Sequence, residues 1–164
     1  MPLTLPDGRR IRLSPGKHNQ VQKAVIEEFA PRFAQGARLL YLGDTAKKNV
    51  LMDQRILAGL GLPASDHDKL PDVVLFVPDR RWLYLIELIE AVTSHGPMSP
   101  KRVFELAEYL KSTEIGAIYV SAFPDTATFR KHMKDVAWET EVWIANVPDH
   151  MIHFNGDKFL GPRK

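Results

Sequence analysis

The sequence predicts an α/β (α+β) fold, a mixed central β-sheet flanked by helices, and three observations carry that reading. Short apolar runs rich in β-branched and aromatic residues recur along the chain. Two of them, 71–77 and 82–92, flank the turn Pro78-Asp79-Arg80-Arg81 and read as a hairpin. Segments of helical periodicity separate the other runs. Hairpins mixed with helical crossovers point away from a bundle or a pure β sandwich. A chain of 164 residues, 45% hydrophobic, suffices for one buried core and is short for two domains.

Taken in order, the first eighteen residues carry Arg9, Arg10, Arg12, Lys17 and His18 against one acid, Asp7, and are broken by Pro2, Pro6, Pro15 and Gly16. That predicts a basic amino-terminal arm over 1–18, ending in a turn, ahead of a single domain over 19–164. Asn19 is placed to cap a helix running to about Phe29, which Pro31 halts because proline disfavours the helical conformation of the residue before it. Residues 38–43 form a strand closed by a Gly-Asp turn, 46–62 are helix-compatible, and 63–70 are a polar loop. After the hairpin, Pro100 occupies a first-turn helix position, and Val103, Leu106, Ala107 and Leu110 mark one face of a helix over 100–112. A strand over 117–122, a helix over 126–136 and a strand over 141–147 complete the order α-β-(α)-β-β-α-β-α-β.

Composition excludes several classes of chemistry. With no cysteine there is no disulfide scaffold, Cys-built zinc module, iron–sulfur cluster or thiol nucleophile, and a reducing compartment, the cytoplasm, fits best. The longest apolar runs are too short to cross a bilayer, and the start has no apolar stretch of signal-peptide length. Lys and Arg number 22 against 20 acids, so the net charge of +2 neither requires nor forbids a polyanionic partner.

The hairpin is the most informative segment. A turn about Asp79-Arg80 sets Val74 opposite Leu85, Phe76 opposite Leu83, and Asp72 opposite Glu87. Directly opposed Cβ atoms lie roughly 4.5–5.5 Å apart, where like charges repel unless something neutralises them. Oxygen ligands at this spacing suit Mg²⁺. The alternative is that Asp72 closes a loop while Glu87 projects from the sheet end into water. On a helix turning about 100° per residue, Glu28 falls among Val21, Ala24 and Val25 and is expected to face inward, supporting a metal or pairing with a cation. Lys101 and Arg102 stand at a helix start, where cations are unfavourable unless an anion, a DNA phosphate or a neighbouring acid, lies near.

Other signals carry less. His150 and His153 lie in a Pro- and Asp-containing stretch with no glutamate between them, which argues against zinc. Adjacent Ser94 and His95 make no nucleophile–base pair. Trp82, Tyr84, Tyr119 and Trp143 read as core residues. Asp44 and Thr45 either shape a tight turn or lie near an active centre.

The segments LSPGKHNQ, YLGDTA, HDKLPDVV, IEAVTSHGP, SPKR, AFPDTATFRK, AWETEVWIA and PDHMIHFNGDKFLGP, in this order from Leu13 to Pro162, closely resemble the catalytic region of the BsuBI/PstI family of type II restriction endonucleases. The family is similar to the PD-(D/E)XK nucleases, whose mixed sheet carries an Asp at the start of one hairpin strand and a Glu in the next. The resemblance implies Mg²⁺-dependent hydrolysis of double-stranded DNA at the palindrome CTGCAG, by a homodimer whose genetic partner is a cognate DNA methyltransferase. It makes Asp72 and the glutamate of IEAVTSHG metal ligands, and DNA contacts are expected among Lys101, Arg102, Arg130, Lys131 and the amino-terminal arginines.

Three departures bear on the site. The lysine usual two residues past the glutamate is Val92, which leaves Lys101, then Lys69, as candidates for its cationic role. A tandem LIE-LIE at 85–90 leaves two glutamates: upstream spacing and hairpin register favour Glu87, the downstream flank AVTSHG favours Glu90, and the expectation here is Glu90, with a bulge or lengthened loop absorbing the insertion. The chain also starts near the beginning of the family's catalytic region. The rival expectation is therefore a catalytically impaired remnant that binds DNA or dimerises without cutting.

Overall fold

A computed structural model describes residues 1–43, 51–62, 70–90, 96–154 and 156. Its amino-terminal segment, expected as a basic arm, folds as a paired element. Pro2–Thr4 (β1) and Arg10–Arg12 (β2) pair as a small antiparallel sheet, and Leu3, Leu5 and Leu13 are buried in the core. The charges of this segment stand between leucines, so pairing sends the leucines inward and leaves the arginines in water.

The first helix is longer than the sequence suggests. Lys17–Ala24 (α1) runs through a π-helical turn, Val25–Phe29, into Ala30–Phe33 (α2). Asn19 is not the cap: it lies inside α1, fully buried, donating from Nδ2 to the Ser14 carbonyl at 2.9 Å. Pro31 does not halt the helix either, since the preceding wide turn, closed by the Ala30 N–H on the Val25 carbonyl, carries the chain past it. The same turn changes which side chains face inward. The buried stripe runs Val21, Gln22, Val25, Ile26, Phe29, Ala30, a four-residue repeat, and Glu28 is left exposed.

Seven strands form the main sheet in the order β4-β3-β5-β6-β7-β8-β9. Arg38–Leu42 (β3) pairs antiparallel with Leu51–Met52 (β4) on one side and with Val73–Val77 (β5) on the other. Of the helix expected over 46–62, the described part contains β4 and the helix Gln54–Gly59 (α3), capped by the Asp53 side chain on the Ile56 N–H at 3.0 Å; residues 44–50 lie outside the description. Trp82–Leu88 (β6) follows the expected turn, with Arg81 left-handed at φ 50°, and pairs with β5 in the register read from the sequence: Val74 with Leu85, Phe76 with Leu83.

From β6 the helix Pro100–Leu110 (α4) leads to Gly116–Phe123 (β7), parallel to β6, and Thr126–His132 (α5) leads to Thr140–Ile144 (β8), parallel to β7. A side chain at Gly116 would force its neighbour to shift, since a Cβ there would stand 2.9 Å from the Trp82 ring. A last strand, Met151–Phe154 (β9), was not expected. Its residues alternate only weakly in polarity, and it is held by antiparallel pairing to β8 and by His153 against Glu141.

The sheet is buried on both faces. Against one lie α1, α2 and the β1–β2 hairpin, packed on Leu75, Ile86 and Trp143; against the other lie α3 and α4, packed on Val74, Leu83 and Leu85. Each such buried aliphatic contributes roughly 1.5–3 kcal/mol. No helix among the described residues is long and apolar enough to cross a membrane.

Candidate active site

Asp72 precedes β5 and Glu87 lies in β6, and the hairpin register sets them beside one another on the α4 face of the sheet. A cavity of about 400 Å³ opens there, lined in part by Asp72, Glu87, Ser99, Lys101, Arg102 and Glu105. Glu87 is only 7% exposed. Burial and the neighbouring negative charge of Asp72 push its pKa up to about 7, against the opposing pull of Arg102. Asp72 is also raised, by burial first, although the Leu88 N–H donates to its Oδ2 at 2.8 Å and stabilises the anion. The two carboxyls act on one another, and the charge of Asp72 raises Glu87. The pair as a whole thus favours keeping a proton near neutral pH.

Three further groups surround the aspartate. His18 Nε2 lies 3.6 Å from Asp72 Oδ1. Gln22, fully buried, donates from Nε2 to the carbonyls of Gly43 and Asp72. A bulge in β3 between Leu39 and Tyr41 turns Tyr41 to the same face, where burial and then the Asp72 charge raise its pKa. Sequence reasoning missed all three. A signal existed for two of them: His18 and Gln22 are four apart, with Asn19 between them on the inward side, so polar groups continue the apolar stripe toward the helix start.

Arg102, read from the sequence as a DNA contact, donates from Nε to Glu87 Oε1 at 2.6 Å and lies 3.5 Å from Glu105. These acids supply the anion its place at a helix start required. Ser99 caps that helix through the Arg102 N–H at 3.2 Å. Lys101 is exposed at the cavity wall. Its fallback, Lys69, lies outside the described residues, as do Asp44, Thr45, Val92, Ser94 and His95.

Two expected ligands are placed elsewhere. Glu90 lies three residues beyond Glu87 and borders a different cavity, beside Lys17, Gln20 and Asp125, although its charge still acts on Asp72. The odd spacing sends the two glutamates to opposite faces, and β6 reaches Leu88 without the bulge that would have brought Glu90 round. Glu28 faces outward, 2.6 Å from Arg32, which also holds Asp149 at 2.8 Å. Arg130 and Lys131 are exposed on the last turn of α5, where a helix dipole accommodates cations.

Comparison with known proteins agrees with this architecture. Residues 1–157 match the family model described as the BsuBI/PstI restriction endonuclease domain. The chain is 46% identical over 162 residues to the type II restriction enzyme BsuBI of Bacillus subtilis, covering 99% of this chain and 50% of that protein. It is 30% identical over 158 residues to the type II restriction enzyme AplI of Arthrospira platensis, covering 92% and 47% respectively. A structure of the SdaI restriction endonuclease superposes with a TM-score of 0.88 at 42% identity, over 99% of this chain and 50% of that one. The chain therefore spans about half the length of the relatives it matches.

Proposed function

Because the chain belongs to the BsuBI/PstI restriction endonuclease family, we propose that it carries the active site of a type II restriction endonuclease, which hydrolyses phosphodiester bonds of double-stranded DNA with Mg²⁺ at CTGCAG. The observation that supports this most is the Asp72–Glu87 pair: two carboxyls that keep a proton near pH 7, on the wall of an open cavity. A proton held between two acids marks a place where a cation lowers the energy.

The donors fit Mg²⁺. Two hard carboxylate oxygen donors are its usual protein complement, with water and phosphate oxygens filling the remaining positions. Asp72 and Glu87 would hold the ion, and when bound it supplies a Lewis acid for the phosphoryl oxygens and a more acidic water. The chain's own residues prepare the site. Leu88 orients the Asp72 carboxylate, Arg102 limits the repulsion between the acids, and Lys101 offers an ammonium at the cavity wall to the approaching phosphate. In this reading Arg102 and Lys101 together take the part of the missing lysine, and Glu87 rather than Glu90 is the second ligand. A palindromic target is read by a two-fold homodimer, and a host must protect its own sites through a cognate methyltransferase.

Plasmids with and without one CTGCAG site, incubated with Mg²⁺ or with a chelator, test the proposal. Cleavage is expected only with both site and Mg²⁺, lost in Asp72→Asn and Glu87→Gln and kept within a few-fold in Glu90→Gln. Salt-sensitive DNA binding with no cleavage under any condition would instead identify the impaired remnant.

A further inference from the structure

We propose that Gln22 is a positioning residue for Asp72, fixing by its grip on the backbone where that carboxylate stands; the inference rests on the reading of Asp72 and Glu87 as the pair that holds the cation. Strands β3 and β5 end together at this point. Leu42 pairs with Val73, and one residue further the Gly43 N–H donates to the Asp72 carbonyl at 3.2 Å. The Gln22 side chain crosses this last rung from α1, donating from Nε2 to the Gly43 carbonyl and, at 3.4 Å, to the Asp72 carbonyl.

Packing does not account for an amide here. Gln22 is fully buried, and its Oε1 has no hydrogen-bond partner among the described residues. A methionine would fill the same space without stranding an acceptor away from water. What the amide does that a methionine would not is tie two carbonyls, one of them belonging to the aspartate. One turn earlier on the same face, His18 reaches Asp72 Oδ1, while the Leu88 N–H holds Oδ2. Asp72 is thereby located at its backbone from α1, at one oxygen from α1 and at the other from β6. A ligand fixed before the ion arrives loses less freedom on binding it, which is how supporting residues set metal affinity.

Calorimetric titration with Mg²⁺, in the absence of DNA, of the unmodified chain, Asp72→Asn, Gln22→Met and Gln22→Leu tests this, with thermal unfolding of each recorded alongside. Both Gln22 variants are close to glutamine in size and lose its N–H donors, so either serves if the other fails to fold. Binding is expected to be abolished in Asp72→Asn and weakened on the order of 10–100-fold in the Gln22 variants. Their cleavage should return toward the unmodified level as Mg²⁺ is raised. Affinity in a folded Gln22 variant within about twofold of the unmodified chain would overturn the inference, even if that variant melts at a lower temperature. Absence of binding by the unmodified chain, or unchanged binding by Asp72→Asn, would overturn the carboxylate-pair reading itself and this inference with it.

Discussion

Replacing Glu87 by glutamine should remove the pH dependence of stability that this group contributes. In the folded chain Glu87 titrates at about 7, raised from 4.5. The folded state therefore binds a proton more tightly than the unfolded state does. Stability from this group is fully present below pH 4.5, declines as pH rises toward 7, and is lost above. At 1.36 kcal/mol per pH unit the displacement amounts to about 3 kcal/mol. Glutamine resembles the protonated acid at every pH, so Glu87→Gln should match the unmodified chain near pH 4.5 and exceed it by about 3 kcal/mol at pH 8 without Mg²⁺. For a chain of this size that is roughly 6–12 °C in melting temperature. Urea unfolding of both proteins between pH 4.5 and 8.5 reads the difference at the Asp72–Glu87 pair, because the carboxylates outside it contribute to both alike. Added Mg²⁺ at pH 8 should stabilise the unmodified chain, by about 2.7 kcal/mol at a hundred times its dissociation constant, and leave Glu87→Gln unmoved. A pH-independent difference between the two proteins would refute the shared-proton argument.

Other perturbations follow from the same structure. Arg102→Met removes the cation that restrains Glu87, so the acidic limb of the cleavage pH profile should move upward by about one pH unit; an unmoved limb would mean that the ion pair does not act on the reacting pair. Gly116→Ala places a methyl 2.9 Å from the Trp82 ring and should cost about 1–3 kcal/mol in urea unfolding. Tyr84→Phe deletes the hydroxyl donated to the Phe33 carbonyl at 2.6 Å and should cost about 1–2 kcal/mol, leaving the Mg²⁺ dependence of cleavage unchanged.

Local order was legible from the sequence wherever a short-range rule governed it. A hairpin's register follows from its turn, so the facing of Asp72 and Glu87 could be read from residues 72–87 alone. Helix α4 announced itself through Pro100 and an apolar face. The long ordered motifs carried the family, which half-length coverage of its relatives does not weaken. Glu90, favoured by its downstream flank, falls on the other side by that same rule: three residues along a strand reverse the face, and β6 has no bulge through Leu88.

Tertiary structure decided everything that joins segments distant in the chain. One π-helical turn shifted the inward stripe of the first helix, turning Glu28 to Arg32 and water. The partners of the acid pair come from elsewhere: Gln22 lies 50 residues before Asp72, and Arg102 lies 15 after Glu87 on a separate helix. Strand β9 is held by its pairing with β8 more than by any pattern of its own. Spacing along a chain reports the periods of helix and strand, which act over a few residues. Which helix packs over which end of the sheet depends on burial and charge summed across the whole core, so the hairpin and its two acids belonged to the sequence, while their companions were chosen by the fold.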